Sequence, residues 1–371
     1  LTIYCGHPTS CCTCEEEIEM TTGLDGVVAA ETVMSLVDGQ RGVLVVRGMP
    51  VEDAARRLDF EGVLALLWDG FADIADLKPR LGAARVRAFA ELPRLLPAAA
   101  GLPPVDGLRT MISGLADAAD GSPLGPVAAM PVFLAALVRQ ARGLAPVAPD
   151  ATAGHAADLL RMLADAPAAP RLVRALDAYL VTVADHGLNA STFAARVVAS
   201  TRAGAVASVT AALGALKGPL HGGAPGPVLD MLDAIGSGQA APGWIEAELA
   251  AGHRLMGFGH RIYRTRDPRA DVLKSVVAGL SSPRIALAEA VEQAALAALH
   301  RHKPDRPLDI NVEFYTALLL DAVGLDRSLF TPVFAVGRVA GWTAHILEQE
   351  QTGRLLRPDS RYVGPEPSLA A

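Results

Sequence analysis

Ala203-Gly204-Ala205-Val206-Ala207-Ser208-Val209-Thr210-Ala211-Ala212-Leu213-Gly214-Ala215-Leu216 runs without a charge or a proline. It is shorter than the roughly 18–20 residues needed to cross a bilayer, so it reads as a buried helix. A helix apolar nearly all round is central in its own core or shared with another subunit. Its small residues let a second helix approach closely, and a symmetric dimer is one way to bury such a face. Working outward, Ala, Leu, Arg and Glu recur at helical spacing on both sides. Residues 60–68, 79–92, 105–118, 131–142, 171–185 and 191–200 all read as helices, joined by loops at 120–125 and 143–149. The clearest β-signal is Asp38-Gly39-Gln40-Arg41-Gly42 followed by Val43-Leu44-Val45-Val46-Arg47-Gly48, a turn and a short strand. The expected fold is all-α with minor N-terminal strands.

The 371 residues suggest one large domain or two, and 51% hydrophobic content excludes a disordered chain. With 33 basic and 40 acidic residues the net charge is −7, which lacks the basic footprint of a nucleic-acid or anionic-membrane binder. The longest charge-free stretch, 121–138, contains Pro123, Gly125, Pro126 and Pro131, read as breaks, so no membrane span is expected. Cys5, Cys11, Cys12 and Cys14 all lie near the start, with His7, and lack the paired spacing of a zinc site. No metal site is expected. Residues 1–19 are read as a non-native or disordered leader, with Met20 opening the coherent part. They show no apolar signal-peptide core, and a cytoplasmic location is expected.

Three histidines stand in Gly-rich or Asn/Ser/Thr-rich settings at helix ends: Asp185-His186-Gly187-Leu188-Asn189, Gly218-Pro219-Leu220-His221-Gly222-Gly223, and Gly257-Phe258-Gly259-His260-Arg261. Flanking glycines allow a ligand or backbone to come close. A loop or cap role accounts for any one of them, but three together point to a site. His155, His253, His300, His302 and His345 lie in ordinary helical or surface contexts and read as structural. Between Arg254 and Arg284 stand seven basic residues and only two acids, Asp267 and Asp271. This is either a solvated face or a surface for a polyanionic small molecule, because guanidinium pairs bidentately with carboxylate and phosphate. Neither a phosphate loop nor a dinucleotide fingerprint is present. In Asn311-Val312-Glu313-Phe314-Tyr315 the carboxylate opens an apolar helix. It serves either the helix dipole or a general base, and spacing alone leaves both open.

The blocks around His186, His221 and His260, with Asp267-Pro268-Arg269, Asn311 to Tyr315, Gly337-Arg338 to His345, and Arg357-Pro358 to Pro365, resemble citrate synthase. Six ordered motifs from about Gly23 to Pro365 make the resemblance specific, and it is nearest the short bacterial members. It implies a mostly helical homodimer with a large domain (20–225 and 331–371) and a mobile small domain (226–330). The implied reaction condenses acetyl-CoA with oxaloacetate and hydrolyses citryl-CoA, with no permanently bound cofactor. By motif, His221 would stabilise the thioester enol, His260 would donate to the ketone, and Glu313 would be the base. His186, Arg269 and Arg338 would hold oxaloacetate, Arg357 would reach the neighbouring subunit's site, and Leu255, Met256, Gly257, Phe258 and Gly259 would meet CoA. The family's base is usually aspartate, and glutamate adds one methylene, a shift of roughly 1–1.5 Å. The resemblance leaves two alternatives: 2-methylcitrate synthase using propionyl-CoA, and a non-catalytic paralogue that binds acyl-CoA or oxaloacetate.

Overall fold

The axis of the fold, in a computed structural model, is the 23-residue helix Phe330–Thr352. The structure describes residue 24 and residues 26–221, 225–280, 282–304 and 308–365. The leader at 1–19, with its cysteines and His7, lies outside these, as do Gly222 and Gly223 beside His221. The chain divides into two units after Glu31, and all that follows concerns the second.

Nearly every side chain of the axial helix from Phe330 to Ile346 is buried. Two glycines explain how it comes so close to its neighbours. A Cβ on Gly337 would lie 2.7 Å from Val183 Cγ2, and one on Gly341 would lie 2.3 Å from the Ala184 carbonyl oxygen. Without it, the Gly341 N–H donates to that same carbonyl at 3.0 Å. Helices Phe60–Trp68, Leu124–Ala141, Pro170–Thr182, Ala190–Ala199 and Ala205–Leu216 pack around the axis. Buried polar bonds tie them to it: Trp68 Nε1 donates to Thr343 Oγ1 at 3.0 Å, and Arg196 Nε to Gln349 Oε1 at 3.0 Å. Arg196 also pairs with Glu348. Beyond the axis, Pro268–Ala278 and Pro225–Ile235 pack on Val312–Ala322, Pro225–Ile235 also touches Ile285–His302, and Ala241–Ala250 packs on Ile285–His302.

The expected turn and strand form a three-stranded antiparallel meander of Ser35–Asp38, Val43–Val46 and Met49–Pro50, with Ser35 opposite Val46 and Asp38 opposite Val43. The helices fall close to where periodicity places them. Asp59 caps Phe60–Trp68, accepting the Gly62 N–H at 2.9 Å, which is why that helix begins where it does.

Two expectations need correction. The prolines do not break the apolar stretch: Leu124–Ala141 is one 18-residue helix with Pro131 inside it. An internal proline costs about 3 kcal/mol, and burial of nearly the whole helix outweighs that. By length and composition this helix could cross a membrane, yet 83% of it is buried within the protein. The second correction concerns 203–216. Its helix starts at Ala205, because Gly204 adopts φ +90° and the Asp117 carboxylate accepts the Val206 N–H at 2.8 Å. One side of it is open in the single chain: Ala207, Thr210, Ala211 and Ala215 are partly exposed and Gly214 is exposed.

Candidate active site

Gly257 and Gly259 both sit at φ +83°, in the left-handed region where a side chain is strained. Between them Phe258 forms an antiparallel bridge with Ile310. The Gly259 N–H donates to the Asp309 carbonyl at 2.7 Å, and the Asn311 N–H to the Gly257 carbonyl at 2.9 Å. The Asn311 side chain donates to the Gly259 carbonyl at 2.8 Å while its Oδ1 accepts the Glu313 N–H at 3.0 Å, capping helix Val312–Ala322. Thus the stretch Leu255–Gly259 is stitched to the helix that carries Glu313. Leu255 and Gly257 are buried, Phe258 and Gly259 partly so, and Met256 is exposed.

The chain then turns back on His260, whose Nδ1 faces the backbone N–H groups of Ile262 and Tyr263, each at 3.0 Å. Two donors aimed at Nδ1 make it the acceptor, so the proton resides on Nε2 and that nitrogen is a donor. Burial and the Arg269 charge bring the His260 pKa down to about 4, so the ring is neutral at pH 7. The rings of His260 and His186 are 5.6 Å apart, and the Tyr263 hydroxyl lies 3.1 Å from His186 Nε2. His186 is buried, and desolvation together with Arg269 and Arg338 holds it well below the usual histidine value.

His221 is positioned by the start of helix Ala190–Ala199. Its Nε2 lies 2.8 Å from Ser191 Oγ and accepts the Ser191 N–H at 3.4 Å. Trp342 Nε1, from the axial helix, donates to the same hydroxyl at 3.1 Å. With Nε2 as acceptor, Nδ1 carries the proton. Burial, then the charge of Arg338, lowers the His221 pKa to about 4.

Arg269 and Arg338 are buried cations held differently. Burial disfavours the Arg269 charge, but its pairing with Asp267, with Tyr263 and Glu313 assisting, raises its pKa overall. Arg338 donates through Nε to the Val183 carbonyl at 2.6 Å and lies 4.6 Å from the Phe334 ring centroid. Burial brings its pKa down to about 10, against the pull of Asp185. Glu313, in the first turn of its helix, is raised to about 7 by burial, with Arg269 and Arg338 opposing and Asp267 assisting. A carboxyl that titrates near neutrality, under the same Arg269 and Arg338 charges as the neutral imidazoles, is suited to proton abstraction.

Much of the basic excess between Arg254 and Arg284 is matched by acids distant in sequence. Arg266 and Lys274 pair with Glu292, and Arg284 with Asp233 and Asp321. That pairing argues against reading this segment as a general polyanion surface. Arg357 is exposed and, among the described residues, bonds to none of the groups above. Among the described residues no group of three or more His, Cys, Asp or Glu is arranged to hold a metal ion.

Residues 23–359 match the family described as "Citrate synthase, C-terminal domain". The chain belongs to the citrate synthase family. It is a condensing acyltransferase. It is similar to "Putative citrate synthase 2" of Mycobacterium tuberculosis H37Rv, 41% identical over 358 residues and 93% of each chain. A "2-methylcitrate synthase" of the same organism is 37% identical over 375 residues, covering 95% of this chain and 93% of that one. Among solved structures, citrate synthase from Thermoplasma acidophilum, in ternary complex with carboxymethyl coenzyme A and oxaloacetate, superposes with TM-score 0.84. That pair is 26% identical, over 95% of this chain and 98% of that one.

Sequence reasoning passed over three residues that shape this site. Tyr263 binds His186 through its hydroxyl and His260 through its N–H. Ser191 sets the His221 tautomer, and Asp267 holds Arg269. Only Asp267 carried a signal of its own: Asp-Pro before a helix marks an N-cap, and its side chain accepts the Arg269 N–H at 3.0 Å.

Proposed function

We propose that this enzyme condenses acetyl-CoA with oxaloacetate and hydrolyses the citryl-CoA formed to citrate and CoA. The observation that carries the reading is the grouping of Glu313, its pKa near 7, with two buried arginines and three neutral histidines. Glu313 takes a proton from the thioester methyl group. His221 donates from Nδ1 to the thioester oxygen as enolate charge develops there. One such preorganised donor is worth roughly 10²–10³ in rate. The methyl carbon bonds to the ketone carbon of oxaloacetate, and His260 passes its Nε2 proton to the ketone oxygen. Arg269, Arg338 and His186 hold oxaloacetate, and Leu255 to Gly259 meet CoA. Water then attacks the citryl thioester carbonyl and gives a proton back to His260 Nε2, while the proton held by Glu313 goes to the departing sulfur, so CoA leaves as the thiol and both groups are restored. No permanently bound cofactor belongs to the scheme.

Several further elements belong to the same proposal. Residues 226–330 act as a small domain that closes over a large domain made of 20–225 and 331–371, excluding water from the acyl-CoA. Two chains form a homodimer across the open side of Ala205–Leu216, and Arg357 serves the neighbouring site. The location is cytoplasmic. Propionyl-CoA is the alternative acyl donor, favoured by the 37% identity to a 2-methylcitrate synthase. One methylene is usually discriminated by only about 1–3 kcal/mol.

The deciding experiment measures CoA release from acetyl-CoA and from propionyl-CoA with oxaloacetate, compared as kcat/KM. A higher value for acetyl-CoA is expected; a higher value for propionyl-CoA selects the alternative, and release from neither defeats the reading.

A further inference from the structure

We infer that the first strand and its turn, residues 35–42, register the two oxaloacetate histidines against each other, with Ser35 and Gly39 as positioning residues. The inference rests on the proposed roles of His186 and His260. At one end of the strand, Ser35 Oγ donates to Asp185 Oδ2 at 2.6 Å and accepts the Gly187 N–H at 2.8 Å. These two residues flank His186, so one hydroxyl grips the chain on both sides of it. A Cβ on Gly187 would lie 3.3 Å from Val37 Cγ2, so the strand and the His186 loop are in close contact.

At the other end, the turn lies on the His260 loop. The Gly39 carbonyl accepts the Arg264 N–H at 2.8 Å. A Cβ on Gly39 would stand 2.3 Å from the Ile262 carbonyl oxygen, and one on Gly42 would stand 3.0 Å from the Arg266 carbonyl oxygen. Ile262 supplies one of the two N–H groups that set the His260 tautomer. The four steps from Ser35 to Gly39 span about 13 Å at the usual strand rise. The span is stiff: Ser35–Asp38 pairs with Val43–Val46, and Asp38 Oδ1 accepts the Gln40 and Arg41 N–H groups at 3.0 and 2.9 Å. A rigid strut touching the neighbours of both rings sets the distance between them, and a misplacement near 1 Å costs on the order of 10²-fold.

Ser35→Ala removes the grip on Asp185 and Gly187, while Gly39→Ala pushes the turn off the Ile262 carbonyl. Oxaloacetate binding is read by calorimetry, and KM for each substrate, kcat and melting temperature by standard assays. Ser35→Ala is expected to weaken oxaloacetate about tenfold, in Kd and KM alike, with the acyl-CoA KM held within about twofold. Ser35→Thr, which keeps the hydroxyl, should recover most of the loss. Gly39→Ala should lower kcat about tenfold through His260. Constants within about twofold of the unaltered chain for both variants overturn the inference. So does a rise in both KM values together that Ser35→Thr does not rescue. CoA release by the unaltered chain separates the two failures: a silent chain defeats the functional reading, and an active chain indifferent to both changes defeats this one.

Discussion

Asp267 holds Arg269 with both carboxylate oxygens, Oδ1 to Nε at 3.0 Å and Oδ2 to Nη2 at 2.7 Å. The second oxygen also accepts the Val312 N–H at 3.2 Å, so one buried charge joins the arginine to the start of the Glu313 helix. Removing one partner of a buried pair leaves the other uncompensated, at a cost of about 3–5 kcal/mol. Asp267→Asn should therefore lower the melting temperature by several degrees. Oxaloacetate should raise the variant's melting temperature more than the parent's, because its carboxylate supplies the missing counter-charge. Equal shifts in both proteins would place Arg269 away from oxaloacetate.

Glu313 must be ionised to accept a proton, and burial raises its pKa to about 7. His221 and His260, each with its pKa brought down to about 4, stay neutral well below that. The kcat profile should thus rise with pH through about 7 and carry no histidine limb above pH 5. Glu313→Gln should lower kcat by roughly a hundredfold or more and abolish the rise, with oxaloacetate affinity retained. Glu313→Asp should also lose activity if the pocket is built around the longer side chain. A Gln variant with near-normal kcat would require a different base.

The Tyr263 hydroxyl lies against His186 Nε2, and burial pushes its own pKa above the usual tyrosine value, so it stays protonated at working pH. Tyr263→Phe keeps the backbone N–H that sets the His260 tautomer and removes only the contact to His186. Oxaloacetate KM should rise by about five- to tenfold, the value of one hydrogen bond of roughly 1 kcal/mol, with kcat nearly unchanged. A fall in kcat at constant KM would show that the hydroxyl acts on the chemical step.

Away from the site, Asp177 Oδ1 accepts the Phe60 N–H at 3.2 Å, yet its pKa is raised to about 7 by burial, with Glu61 and Asp59 adding to it. The folded value lies above the unfolded one, so the folded state holds this proton more tightly. Stability is lost as pH climbs from about 4 to about 7, and the loss is complete above that range. Asp177→Asn keeps an acceptor for Phe60 without the charge. Its melting temperature should exceed the parent's at pH 8 and nearly match it at about pH 4 and below. A gain equal at both values would show that charge is not the cause.

What was legible in the sequence was whatever local chemistry decides. Asp59 before an apolar run marks the start of Phe60–Trp68, and Asp38 to Gly42 reads as a turn because its residues favour one. His186, His221 and His260, the three proposed for the site, stand out through their glycine, asparagine and serine neighbours. Leu124–Ala141 does not, because Pro131 argues locally for a break and only burial on all sides argues otherwise. Counting charges from Arg254 to Arg284 overstated the free positive charge, since Glu292, Asp233 and Asp321 come from other helices. Tyr263 reaches His186 across 77 positions, and no local pattern predicts such a pairing.

Between Gly337 and Gly341 the axial helix presses its backbone onto Leu180, Val183 and Ala184, while Arg338 and Trp342 project from the same few residues. That makes this segment intolerant of changes in length. Adding or deleting one residue there would turn everything beyond it by about 100° and slide it about 1.5 Å. Side chains would then stand where only a hydrogen fits, and Trp342 would leave Ser191. The exposed connection around Asp120 and Gly121 has no such partners, so length variation among relatives should gather there and be absent from the axis.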